Sequence, residues 1–178
     1  AVDGSILCRH DLTAYDLAHD FTYRVYAAPP NDPKNPGHPY DGPMGTLFSP
    51  HPTGSKDGTQ FPGTVPQVDM TISSSVYSKD PWLPVGATVT TGNNVDAFVD
   101  LTAPDGFTPY SLDSRADLVS AGSFARTYDL LAPNAVNQQK AAVLQMFYNV
   151  NFFHDWYYVS GFTEAAGNAQ ANNYGRGG

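Results

Sequence analysis

The sequence predicts an α+β fold in which antiparallel strands and long loops pack against one long, buried helix near the carboxyl end. Three observations support this fold class. The 15 prolines and 16 glycines, with only 15% charged residues, are typical of short strands joined by turns. Residues 21–27 alternate bulky and polar side chains, as a strand with one buried face does. Residues 135–160 contain neither proline nor glycine and carry apolar side chains at helical spacing.

The length and composition fit one globular domain or a large part of one. The chain has 178 residues, of which 41% are hydrophobic. Seventeen acidic residues against nine Lys and Arg give a net charge of −8, which argues against a nucleic-acid partner. No apolar run approaches the roughly 20 residues that span a bilayer, so no membrane partner is expected. Abundant Tyr, Asn, Gly, Ser and Thr with little Lys favours a secreted, extracellular protein.

The leading 66 residues predict a strand followed by an extended segment. Region 1–28 contains the alternating strand of residues 21–27. From residue 29 to residue 66, proline recurs, removing backbone donors and fixing φ. Such a stretch either wraps over the domain or serves as a functional loop. Cys8 is the only cysteine, so no disulfide forms within the chain, and we interpret it as a small buried hydrophobic residue.

Region 67–132 is predicted to be rich in β structure. Its clearest signal is the apolar and polar alternation of residues 85–101. The alternation is interrupted by Thr91-Gly92-Asn93-Asn94, in which glycine and asparagine tolerate positive φ. Residues 95–101 therefore predict a second strand, and the two halves predict a hairpin or an equivalent antiparallel pair.

The helix of region 134–160 is the longest predicted element. Pro133-Asn134 precedes it, and Gly161 provides the left-handed stop that commonly ends a helix. At a rise of 1.5 Å per residue, roughly 25 residues form a rod about 38 Å long. Apolar side chains cover so much of its girth that we expect it to be buried inside a larger domain. They form two neighbouring stripes: Val136, Val143, Phe147, Val150, His154 and Tyr157 in one, and Leu144, Tyr148, Phe152 and Trp156 in the other.

No catalytic residue and no zinc ligand is predicted in this chain. A zinc hydrolase usually needs two histidines one helical turn apart with a glutamate between them, so that both rings and the base converge on one cation. No pair of histidines has that spacing, and none is followed by glutamate, among His10, His19, His38, His51 and His154. We interpret His154 as a core histidine hydrogen-bonded to a neighbour.

Calcium is left open as a ligand of the loops. Oxygen-rich loops can hold this ion, but the sequence has no Asp-x-Asp-x-Asp-Gly pattern, so ordinary surface carboxylates are the favoured interpretation. The aspartates concerned are Asp32, Asp41, Asp57, Asp69, Asp96 and Asp100.

Residues 161–178 predict a turn-rich connection after the helix. Small residues and side-chain amides alternate there, as they do where backbone approaches backbone closely. Because the glycine-rich end is followed by no closing element, we expect both ends of the chain to be cuts within a longer polypeptide.

The last third of the chain carries a resemblance to a known family. Residues 147–158 read Phe-Tyr-Asn-Val-Asn-Phe-Phe-His-Asp-Trp-Tyr-Tyr, followed by Gly-Phe-Thr-Glu-Ala-Ala-Gly-Asn at 161–168 and Asn-Asn-Tyr-Gly-Arg-Gly-Gly at 172–178. This stretch closely resembles the corresponding part of the fungalysin metallopeptidases. Residues 22–26 and 92–95 are similar to weaker features of the same family.

The resemblance implies a secreted, thermolysin-like zinc endopeptidase that is made as a precursor with an inhibitory propeptide. In that family, a β-rich amino-terminal half leads into helices that bear His-Glu-x-x-His and a further Glu. Zinc then activates a water for attack on a peptide carbonyl, with a Glu as general base. None of these ligands matches a residue here, so zinc would bind downstream of Gly178. We expect a piece that is inactive alone and whose partners are the remaining catalytic domain and peptide or protein substrates. The resemblance further implies that this piece supplies a wall of the substrate cleft. The candidates for shaping the edge of that cleft are Gly167, Asn168, Asn172, Asn173 and Arg176.

Two alternatives remain open at this point. The first is a secreted binding module that uses exposed Tyr77, Trp82 and Tyr110 as stacking platforms for a carbohydrate or a protein. A free-standing module would enclose the long helix completely. The second is a non-catalytic or inhibitory fragment that stays bound to a separate chain.

Overall fold

The computed structural model describes residues 20–33, 35–39, 67–72, 80–129 and 135–178. Cys8 and most of the proline-rich segment therefore lie outside the described residues. The described part is α+β, as predicted, although three of its five strands have only two residues. In chain order the elements are β1 (Phe21–Val25), β2 (Val68–Ile72), β3 (Phe98–Val99), β4 (Ser114–Arg115), β5 (Ser123–Phe124), α1 (Val136–Val159) and a 3₁₀ helix (Glu164–Ala166).

Strand β1 is the centre of a mixed three-stranded sheet with the order β2-β1-β5. It pairs with β2 in the antiparallel direction, with Tyr23 opposite Met70. It pairs with β5 in the parallel direction, with Tyr23 opposite Phe124. The predicted antiparallel pairing is confirmed for β1 with β2 and for β3 with β4, whereas β1 with β5 departs from it. A long excursion separates β1 from β5, which is what a parallel pair requires, and no local turn fixes their relative direction.

The predicted strand of residues 21–27 is confirmed, but it ends at Val25. Its alternation places Phe21, Tyr23 and Val25 in the core. After β1, Ala27 forms a single bridge with Pro39, and the Ala28 N–H donates to the His38 carbonyl at 2.8 Å. The start of the proline-rich segment thus returns along the end of β1.

The predicted hairpin or antiparallel pair of residues 85–101 is confirmed only next to its turn, where the Ala97 N–H donates to the Thr90 carbonyl at 3.0 Å. Around the turn, only Thr91 and Asp96 form a bridge, and the Gly92 N–H donates to the Val95 carbonyl at 2.8 Å. The strand expected at 95–101 is reduced to β3, which pairs with β4 instead. The reason is competition for backbone partners: Thr90, before the turn, donates its N–H to the carbonyl of Ala116.

Helix α1 is confirmed within two residues of its predicted ends, and Gly161 after it has φ +104°. In the part of the chain that the structure describes, only one face of α1 is buried, so the complete enclosure expected of a free-standing binding module is not observed. The buried face packs on β1, β3 and β4. Of the predicted stripes, Val143, Leu144, Phe147, Tyr148 and Phe152 are buried, whereas Val136, Val150, Trp156 and Tyr157 are exposed. Within the described residues, no helix has the length and apolarity that crossing a bilayer requires.

The core is an aromatic cluster built around Tyr23. Its ring lies 5.9 Å from that of Trp82 and 5.8 Å, stacked, from that of Phe124. From α1, the rings of Phe147 and Tyr148 approach it to 6.1 and 6.2 Å. The sheet, the segment that begins at residue 80 and the helix therefore share one core.

Candidate functional site

The segment that follows α1 is held by a network of charges around Arg176. The Arg176 guanidinium forms a two-point ion pair with Asp80 through both terminal nitrogens. Its Nε donates to Oε1 of Glu164 at 2.5 Å. Asp80 and Glu164 are both buried. Asp80 lies two residues before the core residue Trp82, and Glu164 lies after α1. Arg176 therefore links the end of the chain to both of these regions.

Glu164 is the most heavily bonded carboxylate of this network. The hydroxyl of Tyr158 donates to its Oε2 at 2.9 Å, and Gln170 Nε2 donates to its Oε1 at 3.2 Å. Burial would raise the pKa of Glu164. The hydrogen bonds from its own backbone N–H, Arg176 and Tyr158, together with the charge of Arg176, outweigh burial and lower that pKa to about 2. Glu164 is therefore ionised at any physiological pH.

A second set of bonds joins the segment after α1, residues 161–178, which we call the tail, to the turn after residue 91. Asn93 accepts the Ala171 N–H at its carbonyl (2.8 Å) and the Asn172 N–H at Oδ1 (2.7 Å), and its Nδ2 donates to the Asn172 carbonyl (3.0 Å). The side-chain amide of Asn93 thus bonds to both the N–H and the carbonyl of Asn172, as the backbone of a paired strand would. The contact borders an open depression of about 330 Å³ lined by Pro81, Pro84, Thr91, Gly92, Asn93, Ala171, Asn172 and Tyr174.

The five residues predicted for a cleft edge have different positions in this tail. Asn172 lines the depression, and the other four do not. Gly167 ends the 3₁₀ helix at φ +73°. The side-chain amides of Asn168 and Asn173 donate to Gln170 Oε1 and to the Gly177 carbonyl, at 2.8 and 2.7 Å. Arg176 is engaged in its ion pairs. The structure thus gives these residues mainly the role of fixing the shape of the tail.

His154 is a core histidine, as interpreted from the sequence. Its side chain is 7% exposed, and its Nδ1 lies 3.2 Å from Oδ1 of Asp155. The other oxygen of Asp155 accepts the indole N–H of Trp82 at 2.8 Å. Trp82 is 2% exposed, so its assignment as an exposed stacking platform is wrong. Of the other two platforms, Tyr110 is fully exposed and Tyr77 lies outside the described residues.

Sequence reasoning missed Asp80, Glu164 and Tyr174 as parts of this site. Asp80 and Glu164 are isolated acids in the sequence, and only the fold brings them to the same guanidinium. For Asp80 the sequence offers no signal, whereas Glu164 could have been noticed because it lies in the stretch that resembles the family. Tyr174 could have been found from its position between Asn173 and Gly175, where a ring in a glycine-rich loop is unusual.

No metal site is formed by the part of the chain that the structure describes. Its His, Cys, Asp and Glu side chains include no group of three placed to hold an ion. Of the aspartates considered for calcium, Asp69 pairs with Arg24 and Asp96 with Arg115, at 2.7 and 2.6 Å. Asp41 and Asp57 lie outside the described residues. The described residues therefore do not fit the zinc that a metallopeptidase requires.

Comparison with known proteins identifies the family. The fungalysin metallopeptidase model matches residues 22–178. The extracellular metalloproteinase MEP of Fusarium vanettenii is 33% identical over 131 residues, which are 72% of this chain and 20% of that protein. The extracellular metalloproteinase 2 of Arthroderma gypseum is 34% identical over 124 residues, covering 62% and 19%. The extracellular metalloproteinase mep of Aspergillus fumigatus is 33% identical over 104 residues, covering 58% and 16%.

These matches cover most of the chain but little of each relative. The chain spans about a fifth of the length of the curated relatives it matches. No solved structure matches it. The family match extends from β1 through α1 to the end of the tail and includes the Arg176 network. The chain belongs to the fungalysin metallopeptidase family.

Proposed function

We propose that this chain is the amino-terminal, zinc-ligand-free part of a secreted, thermolysin-like zinc metalloendopeptidase, and that it is inactive alone. The observation that carries the proposal is that α1 is apolar on two opposite faces. One face is buried on the chain's own sheet. The other is exposed along Met146, Val150, Phe153 and Tyr157, at spacings of four, three and four residues. We call these four residues the outer stripe.

The outer stripe has the properties of a face that another part of the protein covers. Its four side chains are 44–58% exposed, and Trp156 beside them is 46% exposed. Soluble proteins seldom leave so large a contiguous apolar surface in water unless it binds something. Spacings of four, three and four residues are those at which one helix packs on another element.

The remaining catalytic domain is the occupant that we propose for the outer stripe. The curated relatives are about five times as long as the matched part, so they contain the material to cover it. The end of the tail also lies close to α1. Glu164, bonded to Tyr158 of α1, lies so close to Gly178 that a Cβ on this glycine would approach the Glu164 carbonyl oxygen to 2.3 Å. Polypeptide that continues from this point starts beside the helix.

In the assembled enzyme, this part supplies support and a wall of the substrate cleft. The zinc that activates the attacking water would be bound by residues outside this chain. The tail is held rigidly by the Arg176 network, and its depression with Asn172 and Tyr174 forms part of the cleft edge for a peptide or protein substrate. Asn172 lines this edge directly, and Gly167, Asn168, Asn173 and Arg176 fix the shape of the tail that carries it. An inhibitory propeptide would complete the precursor.

The test compares the complete gene product with residues 1–178. We expect the complete protein to bind zinc, to be secreted and to cleave a fluorogenic peptide, and the 178-residue piece to do neither the binding nor the cleavage. A complete gene product that lacks zinc and peptidase activity would refute the proposal.

The outer stripe is tested by serine substitutions on the two faces of α1. Replacing Phe153 and Tyr157 by Ser should lower the melting temperature of the complete protein and leave that of residues 1–178 unchanged or higher, because the two side chains are exposed only in the piece. Leu144→Ser, on the buried face, should destabilise both. Equal melting temperatures for the complete protein with and without the stripe substitutions would show that nothing covers the stripe.

A further inference from the structure

The connection between β3 and β4, residues 100–113, is a loop whose shape is fixed by one buried carboxylate. Asp113 is 8% exposed and accepts the backbone N–H groups of Leu101 and Thr102 at Oδ1, at 2.8 and 2.9 Å. Its Oδ2 accepts the N–H of Thr108 at 2.8 Å. These bonds draw three points of the loop to a single side chain. Compact surface loops held by their own contacts are frequently functional.

The loop is also braced against the β3–β4 pair. The guanidinium of Arg115 lies 3.6 Å from the centre of the Phe107 ring and forms two bonds to the carboxylate of Asp96, at 2.6 and 2.7 Å. The Phe107 ring meets the Phe98 ring edge-on at 5.4 Å. A loop fixed in this way presents its surface without an entropic cost of ordering on binding.

The surface that the loop presents is unusually apolar. Tyr110 and Leu112 are the two most exposed large apolar side chains in the described part of the chain, at 107% and 74%. Leu101 is 53% exposed, and the residue after it, Thr102, accepts the Leu112 N–H at its hydroxyl, at 3.2 Å. Tyr110 has φ +62°, a conformation that costs an L-residue energy and that recurs at functional positions.

The same loop has a negative charge. Asp100 and Asp105 are exposed, and Asp100 Oδ2 accepts the Gly106 N–H at 2.7 Å, which keeps its carboxylate beside Asp105. The sequence has no Lys or Arg from residue 100 to residue 114. A binding partner that covers the three apolar side chains therefore meets two unbalanced carboxylates, and basic side chains on the partner complement them.

We propose that loop 100–113 is a docking surface for a cationic polypeptide segment that carries basic side chains next to apolar ones. Tyr110 supplies the aromatic anchor, a role that Tyr often has in protein interfaces, and Leu112 adds apolar contact area. Asp100 and Asp105 select the charge of the partner. The proposal concerns a surface outside the cleft edge and the outer stripe, and it does not require the chain to act as a peptidase.

The test measures binding of two fluorescein-labelled hexapeptides by anisotropy, one alternating Lys with Leu and Phe and the other alternating Glu with the same residues. The complete protein is used, with 1,10-phenanthroline present to prevent cleavage. We expect the basic peptide to bind, with an affinity that falls as salt is added, and the acidic peptide not to bind. No binding of the basic peptide, or equal binding of both, would overturn the proposal.

Three variants locate the binding to the loop. Tyr110→Gly removes the ring and suits the positive φ, so the fold keeps its melting temperature while affinity falls at least about tenfold, the usual loss for an interface anchor. Asp105→Asn should weaken binding and reduce its salt dependence. Val85→Ser, an exposed apolar residue outside the loop, should leave affinity unchanged. Wild-type affinity of Tyr110→Gly would refute the docking surface, whereas loss of peptidase activity is a separate measurement that tests only the proposed function.

Discussion

The indole N–H of Trp82 donates a 2.8 Å hydrogen bond to Asp155, and both side chains are buried. The bond joins the segment around residue 82 to the last third of α1. Two residues earlier, Asp80 forms the ion pair with Arg176. The segment of residues 80–82 therefore bonds to α1 through Trp82 and to the tail through Asp80.

We expect Trp82→Phe to lower the free energy of unfolding by about 3 kcal/mol, because it removes buried volume and a donor to a buried carboxylate. Chemical denaturation of the wild type, Trp82→Phe, Asp155→Ala and the double variant measures the coupling between the two residues. We expect a coupling of about 1–2 kcal/mol. Strictly additive single-variant losses would show that the bond contributes nothing.

Gly92 is predicted to accept no larger residue. A Cβ at this position would lie 1.9 Å from the backbone carbonyl oxygen of Trp82, so Gly92→Ala forces two backbone segments apart and should cost about 3 kcal/mol or more. The matched control is Gly86→Ala, where the added atom meets open space and only φ +72° opposes it, at a cost of about 1 kcal/mol. Thermal melts measure the loss of stability in the two variants. Similar losses would contradict the close approach of Gly92 to the Trp82 backbone.

Acid should weaken the fold through Glu164. Its folded pKa of about 2 lies below the ordinary value of 4.5, so the stabilisation is complete above pH 4.5 and is lost as the pH falls from 4.5 towards 2. Glu164→Gln removes this titration, and its melting temperature should therefore fall less steeply across that range. Melts at successive pH values measure the slope, and exposed Asp105→Asn serves as the control. A slope for Glu164→Gln as steep as that of the wild type would contradict the assignment.

Tyr148 is predicted to hold the start of the proline-rich segment. Its hydroxyl donates to the Gly37 carbonyl at 2.7 Å in the core, so Tyr148→Phe leaves that carbonyl unpaired and should cost about 1–2 kcal/mol. The loss should be local, and amide exchange at Gly37 and His38 should speed up more than exchange in β1. Fully exposed Tyr110→Phe should change neither. Unchanged exchange at Gly37 would show that the segment is held by other contacts.

Periodicity in the sequence was enough to predict β1 and α1. The alternation of residues 21–25 and the helical run of 136–159 are local signals, and a local signal persists in the fold when one face of the element is buried. The buried side of α1 was predicted only in part. Because the helix is apolar nearly all round, its sequence does not distinguish the face that packs on β1 from the outer stripe.

Contacts between residues that are far apart in the sequence could not be predicted from local sequence patterns. Thr22 and Ser123 are parallel neighbours although about a hundred residues separate them, and no turn sequence encodes that contact. The same holds for the candidate site, where Asp80, Glu164 and Arg176 meet from three distant positions. Among the site residues, those named for the tail were found through a family resemblance and not through charge or spacing.

The position of β1 in the sheet has a consequence for biosynthesis. Its parallel partner β5 leaves the ribosome about 100 residues after β1. At a synthesis rate of 5–20 residues per second, β5 is therefore made roughly 5–20 seconds after Phe21, Tyr23 and Val25 of β1. During that interval the edge of β1 that pairs with β5 stays open, and an open strand edge can pair with a neighbouring polypeptide.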